Sequence, residues 1–200
     1  MTGTEALILA SKSAARTAVL QGAGLRFETL DSRVDEDATK MALLAKQASP
    51  KMIAEALAQE KALAVSKTRP GLVIGADQTL EFAGGLYDKV SSLDAARERL
   101  NLLRGQAHQL HSAVVLARNG QVIWQETVTA TLTMRDFSDT FLETYLEEEG
   151  AAALGSVGCY RMESLGVQLF SAIDGDYFTI LGLPLMGLLE RLRAYAVLTP

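Results

Sequence analysis

Asn119-Gly120 stands between two β-prone runs, "SAVVLA" before it and "VIWQETVTATLTM" after it. An Asn-Gly pair in that setting is the strongest short-range signal for a hairpin, because both central residues of the matching turn need positive φ. At least one antiparallel pair is therefore built into the chain. The N-terminus asks for the opposite geometry: the apolar run Leu7–Ala10 leads through Ser11-Lys12-Ser13 into a helical stretch closed by Gly22 and Gly24, a strand-to-helix unit of the kind that builds parallel sheets. A chain holding both must carry a mixed sheet. The expected fold is α/β, a mixed twisted sheet with flanking helices, in a single domain over residues 1–200 whose central hairpin region forms a second lobe across a cleft.

The intervening sequence supplies further elements. Phe27 to Thr39, with "VDED" at 34–37, reads as an acidic loop. Ser49-Pro50 opens a helix that carries Ile53, Leu57 and Val65 and stops before Pro70-Gly71. Leu72-Val73-Ile74 is a short strand that ends at Gly75-Ala76-Asp77, and Ala83-Gly84-Gly85 separates "QTLEF" from "LYDKV" as a tight return. Helices follow from Ser92, from Ser138 to Gly150, and from Pro184, with "VQLFSAI", 167–173, as a strand between the last two.

Composition removes several classes of function. A net charge of -5 with both signs interspersed argues against a non-specific nucleic-acid binder. Cys159 is the single cysteine, so an intrachain disulfide and a cysteine-rich zinc site are both impossible, and a reducing compartment is the simplest fit. The N-terminal "MTGTEALILASK" lacks a basic stretch followed by a long apolar core, and no run approaches the roughly 20 apolar residues of a membrane helix. The expectation is a cytoplasmic protein. P-loop, GxGxxG, GxSxG and CxxC motifs do not occur. His108 and His111, three apart in a strand, fall on opposite faces and cannot easily share a metal.

Several residues remain that can do chemistry. Ser13 caps a helix whose free N–H groups and dipole favour an anion, with Ser11 beside it and Arg16 able to offer a planar fork to phosphate. Asp77 follows a buried strand, at the end where open α/β sheets place functional groups; it could accept a proton, hold a cation or cap a turn. Lys61 lies in phase with Ile53 and Leu57, so its ammonium either snorkels to solvent or faces an anion in a cleft. Lys89 sits on a short strand after the Gly84-Gly85 return, and Glu36 in the acidic loop is either solvated or a metal ligand.

Taken in order, "LILASKSAAR", "VDE", "LAQEKA", "VIGADQ", "YDK", "LRGQAH" and "LGLPL" resemble the Maf family of septum-formation inhibitors and nucleoside triphosphate pyrophosphatases along nearly the whole chain. The resemblance implies the family's elongated, two-lobed architecture, often a homodimer, and hydrolysis of a nucleoside triphosphate between its α and β phosphates with a divalent metal, Mg²⁺ or Mn²⁺. By motif position it implies that Asp77 accepts the proton of the attacking water and that Ser11, Arg16, Lys61 and Lys89 line the phosphate path. Glu36 would assist the metal together with Asp77. Ala14 and Ala15, Val90 and Ser156 depart from the family's pattern.

Glu163 in "CYRMESLG" stands where relatives that act on uridine or thymidine triphosphates have glutamine, which resembles the branch associated with 7-methyl-GTP. A carboxylate offers two acceptors, matching the N1–H and N2 amino group of guanine; an ordinary partnership with Arg161 is the competing role. The alternatives in function are a dTTP or UTP pyrophosphatase, or a non-catalytic nucleotide-binding regulator of cell division.

Overall fold

The computed structural model describes residues 5–199. Seven strands form one mixed sheet in the order β2-β1-β3-β5-β6-β7, with β4 paired to the far end of β3. β1 (Leu7–Leu9) lies parallel to both β2 (Glu28–Thr29) and the start of β3 (Leu72–Phe82), Leu9 opposite Ile74. β5 (Ala107–Arg118) and β6 (Gln121–Met134) are the expected hairpin around Asn119-Gly120, both residues at positive φ. β7 (Phe170–Asp174) closes the antiparallel edge against β6.

Three boundaries differ from the sequence reading. The strand at Leu72 does not stop near Asp77 but continues to Phe82, because β5 pairs with it from Val73 to Glu81 and holds Gly75-Ala76-Asp77 extended. The acidic stretch is not all loop: Asp35 accepts the backbone N–H of Ala38 at 3.0 Å and caps α2 (Glu36–Leu44), so Glu36 and Asp37 occupy the first helical turn, where the dipole favours them. Residues 165–169 form a 3-10 helix before β7, which shortens the expected strand at its start.

The sheet divides its helices by face. Alternation sends Leu72, Ile74, Ala76 and Leu80 to one side of β3 and Val73, Gly75, Asp77 and Thr79 to the other. On the first face two apolar clusters form. One joins Leu72, Ile74, Val114 and Leu116 to α1 (Ala14–Gly22) and α7 (Leu185–Ala194); the other joins Leu80, Leu110 and Leu132 to α4 (Leu93–Leu103) and α5 (Asp139–Glu149). Between them, at the waist, lie Gln78 and Ser112, opposite each other in the β3–β5 register, covered by the short helix α6 (Tyr177–Ile180).

The second face carries α3 (Pro50–Ser66), capped by Ser49 with Pro50 in its first turn. Ala54, Ala58 and Ala62 recur every four residues, so one stripe of the helix is nearly smooth and packs on Ala113, Val115 and Ala117. No described helix is long and apolar enough to cross a membrane.

Candidate active site

β1 and β4 (Gly85–Tyr87) pair with the same edge of β3, but at opposite ends: β1 reaches Ile74, and β4 begins opposite Phe82 and ends opposite Leu80. The edge of β3 between these contacts belongs to neither strand. Because β1 runs parallel to β3 and β4 antiparallel, both chains leave their pairing pointed at this gap. Ser11 follows β1 and Lys89 follows β4, which brings residues 78 positions apart in sequence to one opening. Lys89, expected on a short strand, instead lies two residues past the end of β4. Asp77 stands in the gap, at mid-strand.

The opening leads into a cavity of about 1210 Å³ lined by Ser11, Ser13, Arg16, Glu36, Lys61, Asp77, Lys89 and Glu163 among others. All eight residues expected from sequence therefore share one site. Its floor is an ion triad: Lys61 Nζ lies 2.7 Å from Asp77 Oδ1 and 2.8 Å from Glu36 Oε1. Lys61 is buried, as its phase on α3 required, and its ammonium faces carboxylates instead of snorkelling to solvent. Burial pushes the Asp77 carboxyl above its ordinary range, against the opposing pull of Lys61 and Arg16. A base strengthened in this way stays reactive toward a proton.

The α1 side supplies the second group of contacts. Ser13 Oγ caps the helix by accepting the Arg16 backbone N–H at 3.4 Å, and Ser11 Oγ accepts the Ser13 N–H at 3.2 Å. The Arg16 guanidinium is buried and held at two points, donating from Nε to the Gly182 carbonyl at 2.8 Å and from Nη1 to Ser11 Oγ at 3.3 Å. Desolvation lowers its pKa, offset by the charges of Asp77 and Glu36. Lys89 is also lowered, first by desolvation and then by Arg16. Arg16 and Lys89 thus face one cavity as desolvated cations, close enough for each to feel the other's charge, and such groups can receive an anion.

Glu163 lies at the outer wall of the cavity, where Arg161 donates to its Oε1 at 3.2 Å and to the buried Glu149 at 3.3 Å. The competing role of Glu163 as an Arg161 partner is thus real, although the pair is partly exposed and Glu149 gives Arg161 a second anchor. The two histidines do occupy opposite faces: His108 Nε2 meets the Tyr160 hydroxyl at 2.7 Å, and His111 sits between Glu81 and Thr129.

Sequence reasoning missed Lys40, whose ammonium crosses the cavity rim from α2 to Asp88 at 2.6 Å; Asp88 pairing raises its pKa despite the opposing desolvation. It also missed Gln78 and Gly182. Gln78 and Gly182 fall within the stretches "VIGADQ" and "LGLPL", yet the role of all three depends on partners distant in sequence.

Two residues of the cavity, Asp77 and Glu36, could hold a divalent metal. Asp77 and Glu36 offer hard oxygen ligands already converging on a positive charge, that of Lys61. No group of three or more His, Cys, Asp or Glu close enough to hold a metal occurs among the described residues. Mg²⁺ commonly binds through one or two carboxylates, taking its remaining oxygens from substrate phosphate and water.

The profile of the family described as Maf-like protein matches residues 6–195. The chain is 58% identical over 191 residues to the nucleoside triphosphate pyrophosphatase of Caulobacter vibrioides, covering 96% of each. It is 48% identical over 194 residues to the nucleoside triphosphate pyrophosphatase of Granulibacter bethesdensis, covering 96% of this chain and 98% of that one. It is 47% identical over 191 residues to the 7-methyl-GTP pyrophosphatase of Brucella abortus, covering 95% of this chain and 96% of that one.

Proposed function

Because the chain belongs to the Maf-like protein family, we propose that its cavity hydrolyses nucleoside triphosphates between the α and β phosphates, releasing a nucleoside monophosphate and pyrophosphate. The observation that carries this reading is the triad at the floor, in which Asp77, Lys61 and Glu36 meet within 2.8 Å beside the anion-attracting start of α1. Acid–base and electrostatic groups stand together there, as transfer of a phosphoryl centre to water requires.

In the proposed reaction Asp77 takes a proton from water as the water oxygen bonds to the α-phosphorus. The bond from that phosphorus to the α-β bridging oxygen breaks, and the electron pair leaves with pyrophosphate. Lys61 orients Asp77 and balances its charge in the resting site. Arg16, Ser11, the Ser13 hydroxyl and Lys89 receive the phosphate oxygens. Asp77 and Glu36 would hold Mg²⁺ or Mn²⁺, which would supply further neutralisation of phosphate charge.

Glu163 is the proposed base reader. Its Oε1 is shared with Arg161, whereas Arg161 can rest on Glu149 when guanine occupies the carboxylate. The names of relatives such as that from Brucella abortus support 7-methyl-GTP as a substrate, and the positive charge of the methylated base favours a carboxylate neighbour. A homodimer is proposed from the family resemblance alone, and light scattering on the purified protein tests it.

The deciding experiment is pyrophosphate release from a panel of nucleoside triphosphates by the unmodified protein and by Asp77→Asn. We expect turnover on at least one nucleotide and a loss of about 10²–10⁴-fold in the variant, the range for removing a general base. Full turnover by a folded Asp77→Asn protein would reject the assignment.

A further inference from the structure

Asp77 and Gln78 are neighbours on β3 and address different walls of the cavity. Asp77 faces α3, and Gln78 faces the waist between the two apolar clusters. There Gln78 Nε2 lies 2.9 Å from Ser112 Oγ, 3.1 Å from the Thr179 carbonyl and 3.0 Å from the Ile180 carbonyl. Ser112 Oγ in turn donates to the Thr179 carbonyl at 2.7 Å. Carbonyl oxygens only accept, so the amide nitrogen must be the atom turned toward them.

Thr179 and Ile180 are the end of α6, a four-residue helix too short to hold its own shape. Gly182 follows at φ +90, and its carbonyl receives Arg16 Nε. The chain of contact is thus continuous from β3 through α6 to the guanidinium. A β-carbon on Gly182 would stand 3.4 Å from Arg16 Nε and Nη2, which shows how closely the turn fits the side chain.

We infer that Gln78, with Ser112, is a positioning residue for Arg16: it fastens the end of α6 to the sheet so that the Gly182 carbonyl fixes the guanidinium in the cavity. The polar pair lies where an apolar pair would otherwise join the two clusters into one core. Its placement there costs apolar contact and gains a fixed point for the turn. Tolerances at such points are tight, and a displacement of about 1 Å can reduce turnover by about 10²-fold.

This inference rests on Arg16 as a phosphate ligand, and a double-mutant cycle separates the two claims. Pyrophosphate release and melting temperature would be measured for Gln78→Leu, Arg16→Ala and the double variant. Gln78→Leu should lower kcat/KM by about 10–100-fold when Arg16 is present and by less than about threefold when it is absent, since coupled residues are not additive. Lys89→Ala, which does not touch the turn, should combine additively with Gln78→Leu. Ser112→Ala should show the same dependence on Arg16 with a smaller loss, which keeps the test open if Gln78→Leu fails to fold. Equal losses in both Arg16 backgrounds would overturn the inference while leaving the reading of Arg16 intact. Unchanged turnover by Arg16→Ala would overturn both.

Discussion

Gly75 lies directly under Ala58 of α3: a β-carbon built on it would stand 2.2 Å from the Ala58 carbonyl oxygen and 2.6 Å from the Ala62 backbone nitrogen. The glycine is needed for space, not for an unusual backbone angle. It lets α3 settle backbone-to-backbone on β3, which places Lys61, the residue before Ala62, within 2.7 Å of Asp77.

Gly75→Ala is therefore expected to damage the site from a distance of two residues. Overpacking of this kind costs about 1–3 kcal/mol, and the helix can relieve it only by rising from the sheet and carrying Lys61 with it. Urea denaturation should show the stability loss, and turnover should fall further than stability at a temperature where the variant is still folded. Wild-type turnover in the folded variant would separate the packing from the chemistry.

Lys61→Met tests the triad itself. It leaves Asp77 and Glu36 facing each other without their shared cation, a change expected to cost about 3 kcal/mol because a buried charge loses its partner. Adding Asp77→Asn should recover most of that stability by removing one of the two carboxylates, yet activity should stay absent in the double variant. Stability unchanged in Lys61→Met would mean that the ammonium is not held between the carboxylates in solution.

His108 gives a separate prediction for acid stability. Burial lowers its pKa from 6.5 to about 4, so the folded protein keeps it neutral while the unfolded chain takes up a proton at higher pH. Its contribution is complete above pH 6.5 and is lost as pH falls through about 4, amounting to about 3 kcal/mol. His108→Gln removes the titration and should flatten the stability curve across this window. An equally steep acid limb in the variant would assign the effect to other groups.

Glu163→Gln should shift base choice. The carboxylate presents two acceptors to guanine, whereas the amide presents one acceptor and one donor, the pattern that suits uracil and thymine. A bidentate contact discriminates by about 1–3 kcal/mol, so the ratio of kcat/KM for 7-methyl-GTP over UTP should fall by tenfold or more. An unchanged ratio would confine Glu163 to its pairing with Arg161.

The residues of the site were more legible in sequence than their scaffold. Lys61 betrayed itself by standing in phase with Ile53 and Leu57, and Ser13 by its place between a strand and a helix. Asp77 was found with the wrong setting, because "GAD" after an apolar run looks like a strand ending, and only the pairing with β5 keeps it extended. Glu36 was misplaced for a related reason: α2 buries no residue, so it lacks the apolar stripe by which a helix is recognised. Gln78 and Gly182 were invisible as site residues, since their partners lie about a hundred residues or more away in the chain.

A β-strand has no fractional register. Moving β3 by one residue against β5 would turn Asp77 toward the waist and Gln78 toward α3, exchanging the two walls' instructions in a single step. The cavity therefore cannot drift gradually between a good and a poor arrangement along this coordinate. Adjacent residues with opposite assignments act as a parity check on the sheet: the paired strands either place both side chains correctly or place neither.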